Sequence, residues 1–304
     1  MHAGLVLSAV LVLTVVGCAR DRWPEPPVVD QAQYQQEYSE WRDEQQQTAA
    51  YAIGILGVWP LEDGDTAFSA DGSLPIVLPA RVAQSRVGVF RRSGEKVTVI
   101  PAPGAALRTS GGKPVKGPTE LDQEVALGSV NFEIVDMGEG RRFVSAVDKN
   151  HPSLEHLPMV ETYPLDPRWR VAARFEAFES AKPVRVPDVR GGYMDFVAPG
   201  RLVFRVQDQE LRLTALGIPA GDQFFVMFKD PTNESTTYGG YRILTPAVAA
   251  DGEWTVLDFN MARNPPCGYS PYTTCPLPPP ENRLATAIEA GEKRFPSARG
   301  FSQQ

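Results

Sequence analysis

Proline restricts the possible fold of this chain more than any other residue type. There are 28 prolines and 26 glycines in 304 residues, and about 9% proline exceeds the roughly 5% of typical proteins. Because proline breaks the interior of a helix, we expect a turn-rich protein rather than a bundle of long helices. The contents of hydrophobic residues, 42%, and charged residues, 22%, are those of a globular protein. A net charge of -7 argues against a nucleic-acid partner.

The first 18 residues have the pattern of a lipoprotein leader. An apolar run over residues 5–16 is too short to cross a bilayer core of about 30 Å, but it suits the apolar region of a signal peptide. It ends at Gly17-Cys18, which resembles the lipobox of bacterial lipoproteins, although residues 2–4 contain no Lys or Arg. The alternative is a plain secretory signal in which Cys18 plays no part.

The resemblance implies that residues 1–17 are a signal peptide and that Cys18 carries acyl chains that hold the protein at a membrane surface. In a Gram-negative host, the alanine after Cys18 implies an outer-membrane protein facing the periplasm. In a Gram-positive host, the anchor places the protein on the outer face of the cell membrane. The sequence does not indicate the host or the oligomeric state.

A tether and a helix are expected next. Residues 18–30 are rich in proline and predict an extended tether. Residues 31–52 lack proline and glycine, and the aromatic residues Tyr34, Tyr38 and Trp41 recur at helical spacing, which predicts an amphipathic helix. Its polar face is not rich in lysine, so docking on the protein's own β-structure is favoured over a role at the membrane surface.

Residues 53–140 predict a small β-sandwich. Four β-rich runs, at residues 75–78, 87–90, 96–100 and 129–135, are separated by glycine-containing turns. The order of Ser85-Arg86, Gly111-Gly112 and Leu127-Gly128 resembles a forkhead-associated domain. Gly88 stands where that family has a structural histidine, so the resemblance implies a β-sandwich and not phosphopeptide binding.

Residues 141–304 predict a second β unit. The strand-like runs are residues 169–175, 202–206, 211–213, 224–228 and 254–259. The expected fold class is therefore mainly β, with two antiparallel β-sandwich or barrel-like units preceded by the amphipathic helix. In the last run, Asp258 alternates onto the same face as Trp254 and Val256. A carboxylate on an apolar face has to be paired or hydrogen-bonded.

Cys267 and Cys275 lie eight positions apart in a proline-rich segment. In an exported protein two nearby cysteines are expected to form a disulfide, which would contribute roughly 2–3 kcal/mol by the chain-entropy model. A metal pair or a redox pair is the alternative. The absence of a CxxC motif and of a nearby histidine disfavours both.

Common catalytic motifs are absent from the sequence. It contains no GxSxG, HExxH, GxGxxG, P-loop or EF-hand pattern. His151 and His156 could join Asp148 at a metal, but their spacing across Pro152 does not place both rings on one helix face. A solvated loop is the favoured interpretation, and no metal or cofactor is expected.

Polar residues concentrate in five ordered blocks near the C-terminus. These blocks resemble a bacterial and archaeal family known as domain of unknown function 1684, over roughly residues 141–295, and the family has no established activity. The blocks are Thr237-Tyr238-Gly239 with Arg242, Asp258-Phe259-Asn260, Asn264 to Cys267, Cys275 to Pro280 with Glu281-Asn282, and Ala290 to Lys293.

The blocks, together with Lys229 and Asp230 just before the first block, supply the candidate site residues. A stiff proline-rich frame that carries charged and amide side chains suits a small polar ligand or a glycan. A structural network that fixes the proline loop to the sheet is the favoured alternative. A third possibility is a hydrolase of glycans or esters that uses Asp258 and Glu281 (or Glu292) as acid and base. The candidate ligand-binding residues are Lys229, Asp230, Tyr238, Arg242, Asp258, Asn260, Asn264, Glu281, Asn282, Glu292 and Lys293.

Overall fold

The computed structural model describes residues 23–70, 72, 74–83, 86–121, 124–136, 140–189, 191–217, 222–248 and 253–296. The chain is mainly β with one N-terminal helix, which confirms the predicted fold class. The signal peptide, Cys18 and Ser85 lie outside the described residues, so the expectations attached to them stay predictions. Within the described part, no helix combines the length and hydropathy needed to span a membrane.

The helix α1 (Gln31–Gly54) begins at Asp30, whose side chain accepts a hydrogen bond from the amide of Gln33 at 2.9 Å. Its buried stripe includes the predicted Tyr34, Tyr38 and Trp41. The hydroxyl of Tyr38 donates to the Oγ1 of Thr162 at 2.9 Å. The helix therefore packs on the protein's own body, and it ends two residues later than expected.

The first β unit contains two five-stranded sheets, in the orders β1-β10-β9-β8-β6 and β3-β2-β4-β5-β7. Their facing sides enclose a core that includes Phe68, Phe90 and Phe132. The strands are β1 (Ile55–Leu61), β2 (Gly64–Ser69), β3 (Ile76–Val77), β4 (Arg86–Ser93), β5 (Lys96–Pro101), β6 (Leu107–Thr109), β7 (Thr119–Glu120), β8 (Val125–Leu127), β9 (Val130–Asp136) and β10 (Arg142–Asp148).

Two details of this unit bear on the sequence predictions. β10 pairs with β1 and β9, so the unit continues past the expected boundary at residue 140. A Cβ at Gly88 would collide with the carbonyl oxygen of Ile100 and approach the ring of Phe68. Glycine is required there because two strands and an aromatic ring meet without room for a side chain.

The second β unit is a six-stranded sheet that curves into a half-barrel, in the order β15-β14-β13-β12-β11-β16. Its concave core includes Phe204, Phe228 and Phe259. Gln207 and Asp208, with φ of 50° and 63°, form the hairpin turn between β12 and β13. The strands are β11 (Arg170–Pro187), β12 (Tyr193–Val206), β13 (Gln209–Gly217), β14 (Phe224–Phe228), β15 (Arg242–Leu244) and β16 (Trp254–Asp258).

The two outer strands of the half-barrel, β15 and β16, do not pair with each other. Instead, Ile243 of β15 exchanges two backbone hydrogen bonds with Arg263, at 2.8 and 3.0 Å. Tyr34 of α1 contacts the end of β16 by donating its hydroxyl to Asp258 at 2.8 Å. The helix thus lies against the open side of the half-barrel, and a cleft forms where they meet.

Candidate functional site

Arg242 and Asp230, two of the predicted site residues, form a buried ion pair. Nη2 of Arg242 lies 2.7 Å from Oδ1 of Asp230, and neither side chain has exposed surface. Arg242 also donates to the carbonyl oxygens of Ile288 and Ala290, while the other carboxylate oxygen of Asp230 accepts from the amide of Ile288. The pair holds the segment around residues 288–290 against β15, and its charges are closed to solvent.

The side chain of Asn282 fills a gap in the hydrogen bonding between β13 and β14. β13 and β14 pair only at Leu216–Phe225 and Gly217–Phe224. Further along, the Asn282 side chain accepts from the amide of Thr214 at 2.7 Å and donates to the carbonyls of Thr214 and Met227 at 2.9 and 2.8 Å. Every polar group of this amide is satisfied, so Asn282 serves as a rung between the strands.

Glu292 is fully buried and carries no ion pair among the described residues. Its Oε2 accepts from the amide of Asn264 and the hydroxyl of Tyr269, whereas its Oε1 has no partner. Burial raises the pKa of Glu292 to about 7. The side chain of Asn264 donates in turn to the carbonyl of Lys293. This group joins the C-terminal segment to the loop that follows β16.

The remaining candidates, Glu281, Lys229, Lys293 and Tyr238, each make contacts of their own. Glu281 is exposed and accepts a hydrogen bond from the hydroxyl of Thr214 at 3.1 Å. Lys229 takes part through its backbone, which pairs with Asn282 and Leu284. Nζ of Lys293 lies 5.2 Å from the centre of the Tyr163 ring, a cation-π distance. Tyr238 is half-buried, and burial raises the pKa of its hydroxyl.

Asp258 has the partners that its place on an apolar face requires. Its oxygens accept from the Tyr34 hydroxyl at 2.8 Å and from both the backbone amide and side chain of Asn260 at 3.0 and 3.1 Å. Nε of Arg170 lies 3.9 Å away. Burial raises the pKa of Asp258, against the lowering effect of these donors. Asp258 and Asn260 thus join α1 to β16.

Asp258 and Glu281 are not neighbours in the structure. β16 and β13, which carry Asp258 and the hydrogen-bond partner of Glu281, are separated by β11 and β12 in the sheet. The two carboxylates are therefore held at strands that are not adjacent and share no contact, whereas the paired carboxylates of glycosidases face each other across roughly 5–9.5 Å. The geometry therefore gives no support to this acid-base pair.

Asp258 faces a cavity of about 610 Å³, which we call the helix–sheet cleft. One wall is the face of α1 that carries Glu37, Trp41 and Glu44. The opposite wall is built from the open edges of the half-barrel and includes Arg170, Thr245, Pro246, Val256, Asp258, Met261 and Arg263. This volume lies within the range of about 300–1,000 Å³ that is usual for small-molecule sites.

Arg170 and Arg263, the two arginines of the cleft, were not among the sequence candidates. Arg170 lies at the start of β11 and donates to the carbonyl of Pro27 at 2.7 Å. Nη1 of Arg263 donates only to the Thr245 hydroxyl, at 3.3 Å, and burial lowers the pKa of its guanidinium. Neither residue lies within one of the five blocks. The sequence signal for Arg263 was its position one residue before the Asn264-Pro-Pro-Cys267 block.

The other predicted features can be placed briefly. The sulfur atoms of Cys267 and Cys275 lie at disulfide distance, with the Cα atoms 6.3 Å apart. His151 caps a short 3-10 helix by accepting from the Ser153 amide, and Asp148 pairs with Arg81 at 3.0 Å. Within the described ranges, no three His, Cys, Asp or Glu side chains are grouped closely enough to hold a metal ion.

Together these observations define a mainly β protein whose half-barrel is joined to an N-terminal helix across a polar cleft. Residues 155–293 match the model of a family described as a protein of unknown function, DUF1684, which confirms the predicted resemblance to this family. The match includes both arginines of the cleft but not α1 or the first β unit. The forkhead-associated resemblance stays a prediction.

A solved structure shows similarity to part of the chain. It is the solution NMR structure of an uncharacterized protein from Haloarcula marismortui, at 28% sequence identity and a TM-score of 0.40. The similarity covers 47% of this chain and 80% of the archaeal one. The comparison with curated proteins found no match.

Proposed function

We propose that this protein is a cell-envelope lipoprotein that binds a small polar ligand in the helix–sheet cleft. The observation that carries the binding role is the contrast between two groups of polar residues. Arg242, Asp230 and Asn282 are buried and paired inside the protein, whereas Arg170 and Arg263 line an open cavity. The second group faces the space that a ligand would enter.

The cleft has the general properties of a binding site. It combines charged groups with apolar surface from Trp41, Val256 and Met261, and such a mixture gives both affinity and orientation. Its walls are held by the Tyr34–Asp258 hydrogen bond and by the pairing of Arg263 with Ile243. A preorganised cleft loses little conformational freedom when a ligand enters.

The binding role is tested by mass spectrometry of the full chain purified in mild detergent. A bound ligand would appear as a discrete mass that is present under native conditions and lost on denaturation. Met261→Trp, which fills the cleft, should abolish this mass. Met159→Trp is the matched control, because Met159 is 64% exposed and does not line the cleft. Retention of the same mass by Met261→Trp would place the ligand elsewhere and refute the proposal.

The anchor is tested separately by labelling cells with radioactive palmitate. The protein should incorporate label and fractionate with membranes, and Cys18→Ser should abolish both properties. Cys267→Ser is the control for a cysteine outside the leader. An unlabelled but exported wild-type protein would instead indicate a plain secretory signal.

A further inference from the structure

The charges of the helix–sheet cleft are arranged on two opposite walls. The sheet wall carries Arg170, Asp258 and Arg263, and the helix wall carries Glu37 and Glu44. Arg170 and Asp258 lie 3.9 Å apart and largely offset each other. The remaining charges are one cation on the sheet wall and two anions on the helix wall.

Arg263 is a cation with unused hydrogen-bonding capacity. Its side chain makes one hydrogen bond, to Thr245, and forms no ion pair within the described part of the chain. Its backbone is fixed by two hydrogen bonds to Ile243, so the side chain starts from a rigid position. A guanidinium can donate in a planar, two-pronged manner to a carboxylate or phosphate, and the cleft leaves room for such a group.

Glu44 supplies the opposite charge across the cleft. Its carboxylate makes no hydrogen bond or ion pair with any described residue. Glu37, two turns earlier on the same helix face, accepts a hydrogen bond from Gln33 at 2.8 Å. Glu44 is therefore the more available partner for a cationic group.

We propose that the ligand is a small zwitterion whose carboxylate binds Arg263 and whose ammonium group binds Glu44. This inference rests on the proposed function. A simple anion would approach two glutamates, and a simple cation would approach two arginines. An uncharged sugar would leave both the free donors of Arg263 and the carboxylate of Glu44 without a charged ligand partner. A ligand with both charges satisfies the two walls at once.

Three versions of one dipeptide separate these alternatives. They are L-alanyl-L-alanine, its N-acetylated form without the positive charge, and its C-terminal amide without the negative charge. Isothermal titration calorimetry on the full chain at low salt should give the free dipeptide an affinity about tenfold or more above either blocked form. The salt concentration is kept constant because added salt screens exposed charges.

Two variants assign each charge to its wall. Arg263→Gln should abolish the preference for the free dipeptide over the amide, and Glu44→Gln should abolish the preference over the acetylated form. The controls are Arg91→Gln and Glu40→Gln, because Arg91 lies in the first β unit and Glu40, on α1, does not line the cleft. Both controls should keep the wild-type order of affinities.

The outcomes separate this inference from the proposed function. Equal affinities for the three dipeptides, or no measurable binding of any of them, would overturn the zwitterion assignment. The proposed function would still hold if the wild-type protein carried a ligand mass that Met261→Trp removed. Absence of any ligand mass, together with dipeptide binding unaffected by Met261→Trp, would refute the proposed function itself.

Discussion

The guanidinium of Arg242 and the carboxylate of Asp230 lie 2.7 Å apart with no exposed surface on either side chain. The same two side chains hold the backbone of Ile288 from both directions, since Arg242 donates to its carbonyl and Asp230 accepts from its amide. A charge buried in this way is inaccessible to ligands. Its contribution is to fasten the C-terminal segment to the half-barrel.

Arg242→Met should therefore destabilise the protein severely. Removing one member of a buried ion pair leaves the other charge uncompensated, which costs about 3–5 kcal/mol. Urea denaturation measures the loss, and Arg91→Met is the control because its pair with Asp65 is exposed to solvent and contributes little to stability. Near-wild-type stability of Arg242→Met, together with weakened ligand binding, would return Arg242 to the binding site.

Asn282→Ala should weaken the joint between β13 and β14. The substitution removes three hydrogen bonds and leaves buried backbone groups of Thr214 and Met227 without partners, for a cost of about 3 kcal/mol or more. Thr286→Ala, which removes one exposed hydrogen bond to Gln209, should cost far less. Similar urea midpoints for the two variants would show that Asn282 is not a structural rung.

The stability of the protein should depend on pH through Glu292. Its pKa of about 7 in the folded state exceeds the ordinary value of 4.5, so the folded protein binds a proton more tightly than the unfolded chain. Stability attributable to Glu292 should therefore fall as the pH rises from about 4.5 to about 7 and then remain constant. The full effect is on the order of 3 kcal/mol.

Glu292→Gln isolates this effect because an amide does not titrate in that range. Urea unfolding of both proteins is measured at four pH values between 4.5 and 7.5. The free energy of unfolding of the variant should increase relative to that of the wild type as the pH rises. Glu289→Gln, at a neighbouring exposed position, should follow the wild type throughout. A constant difference between Glu292→Gln and the wild type would contradict the raised pKa.

Tyr34→Phe should loosen α1 from the half-barrel. The hydroxyl of Tyr34 donates to the half-buried carboxylate of Asp258 and accepts from the side chain of Asn260, and a hydrogen bond to a charged group is worth about 1.5–3 kcal/mol. Tyr51→Phe on the same helix removes a hydroxyl bonded to the exposed end of Glu133 and should cost less than about 1 kcal/mol. Equal losses in thermal or urea denaturation would argue against this role.

The sequence predicted that Asp258 requires hydrogen-bond donors, but it did not predict which residues supply them. The alternation of Trp254, Val256 and Asp258 correctly indicated that the carboxylate would require hydrogen-bond donors. It did not indicate Tyr34, which lies 224 positions away in the chain. Helix and strand patterns are local properties of a sequence, whereas this contact depends on the docking of α1 against the half-barrel.

The same limit applies to the binding residues. The five blocks contain Arg242, Asn282 and Glu292, and Asp230 precedes the first block. Burial decides whether such residues meet a ligand or each other. Arg170 and Arg263 line the cleft because an open sheet edge and a helix happen to leave space beside them. No spacing in the sequence encodes that space.

The rung supplied by Asn282 also sets the order in which the half-barrel can be completed. Two adjacent strands near the middle of the second unit depend on a side chain that is synthesised 68 positions after Thr214. Closing so long a segment is slow compared with forming the hairpins. The strands and their direct pairs at Leu216–Phe225 and Gly217–Phe224 can form early during synthesis. The remaining part of the joint has to wait until residue 282 has left the ribosome.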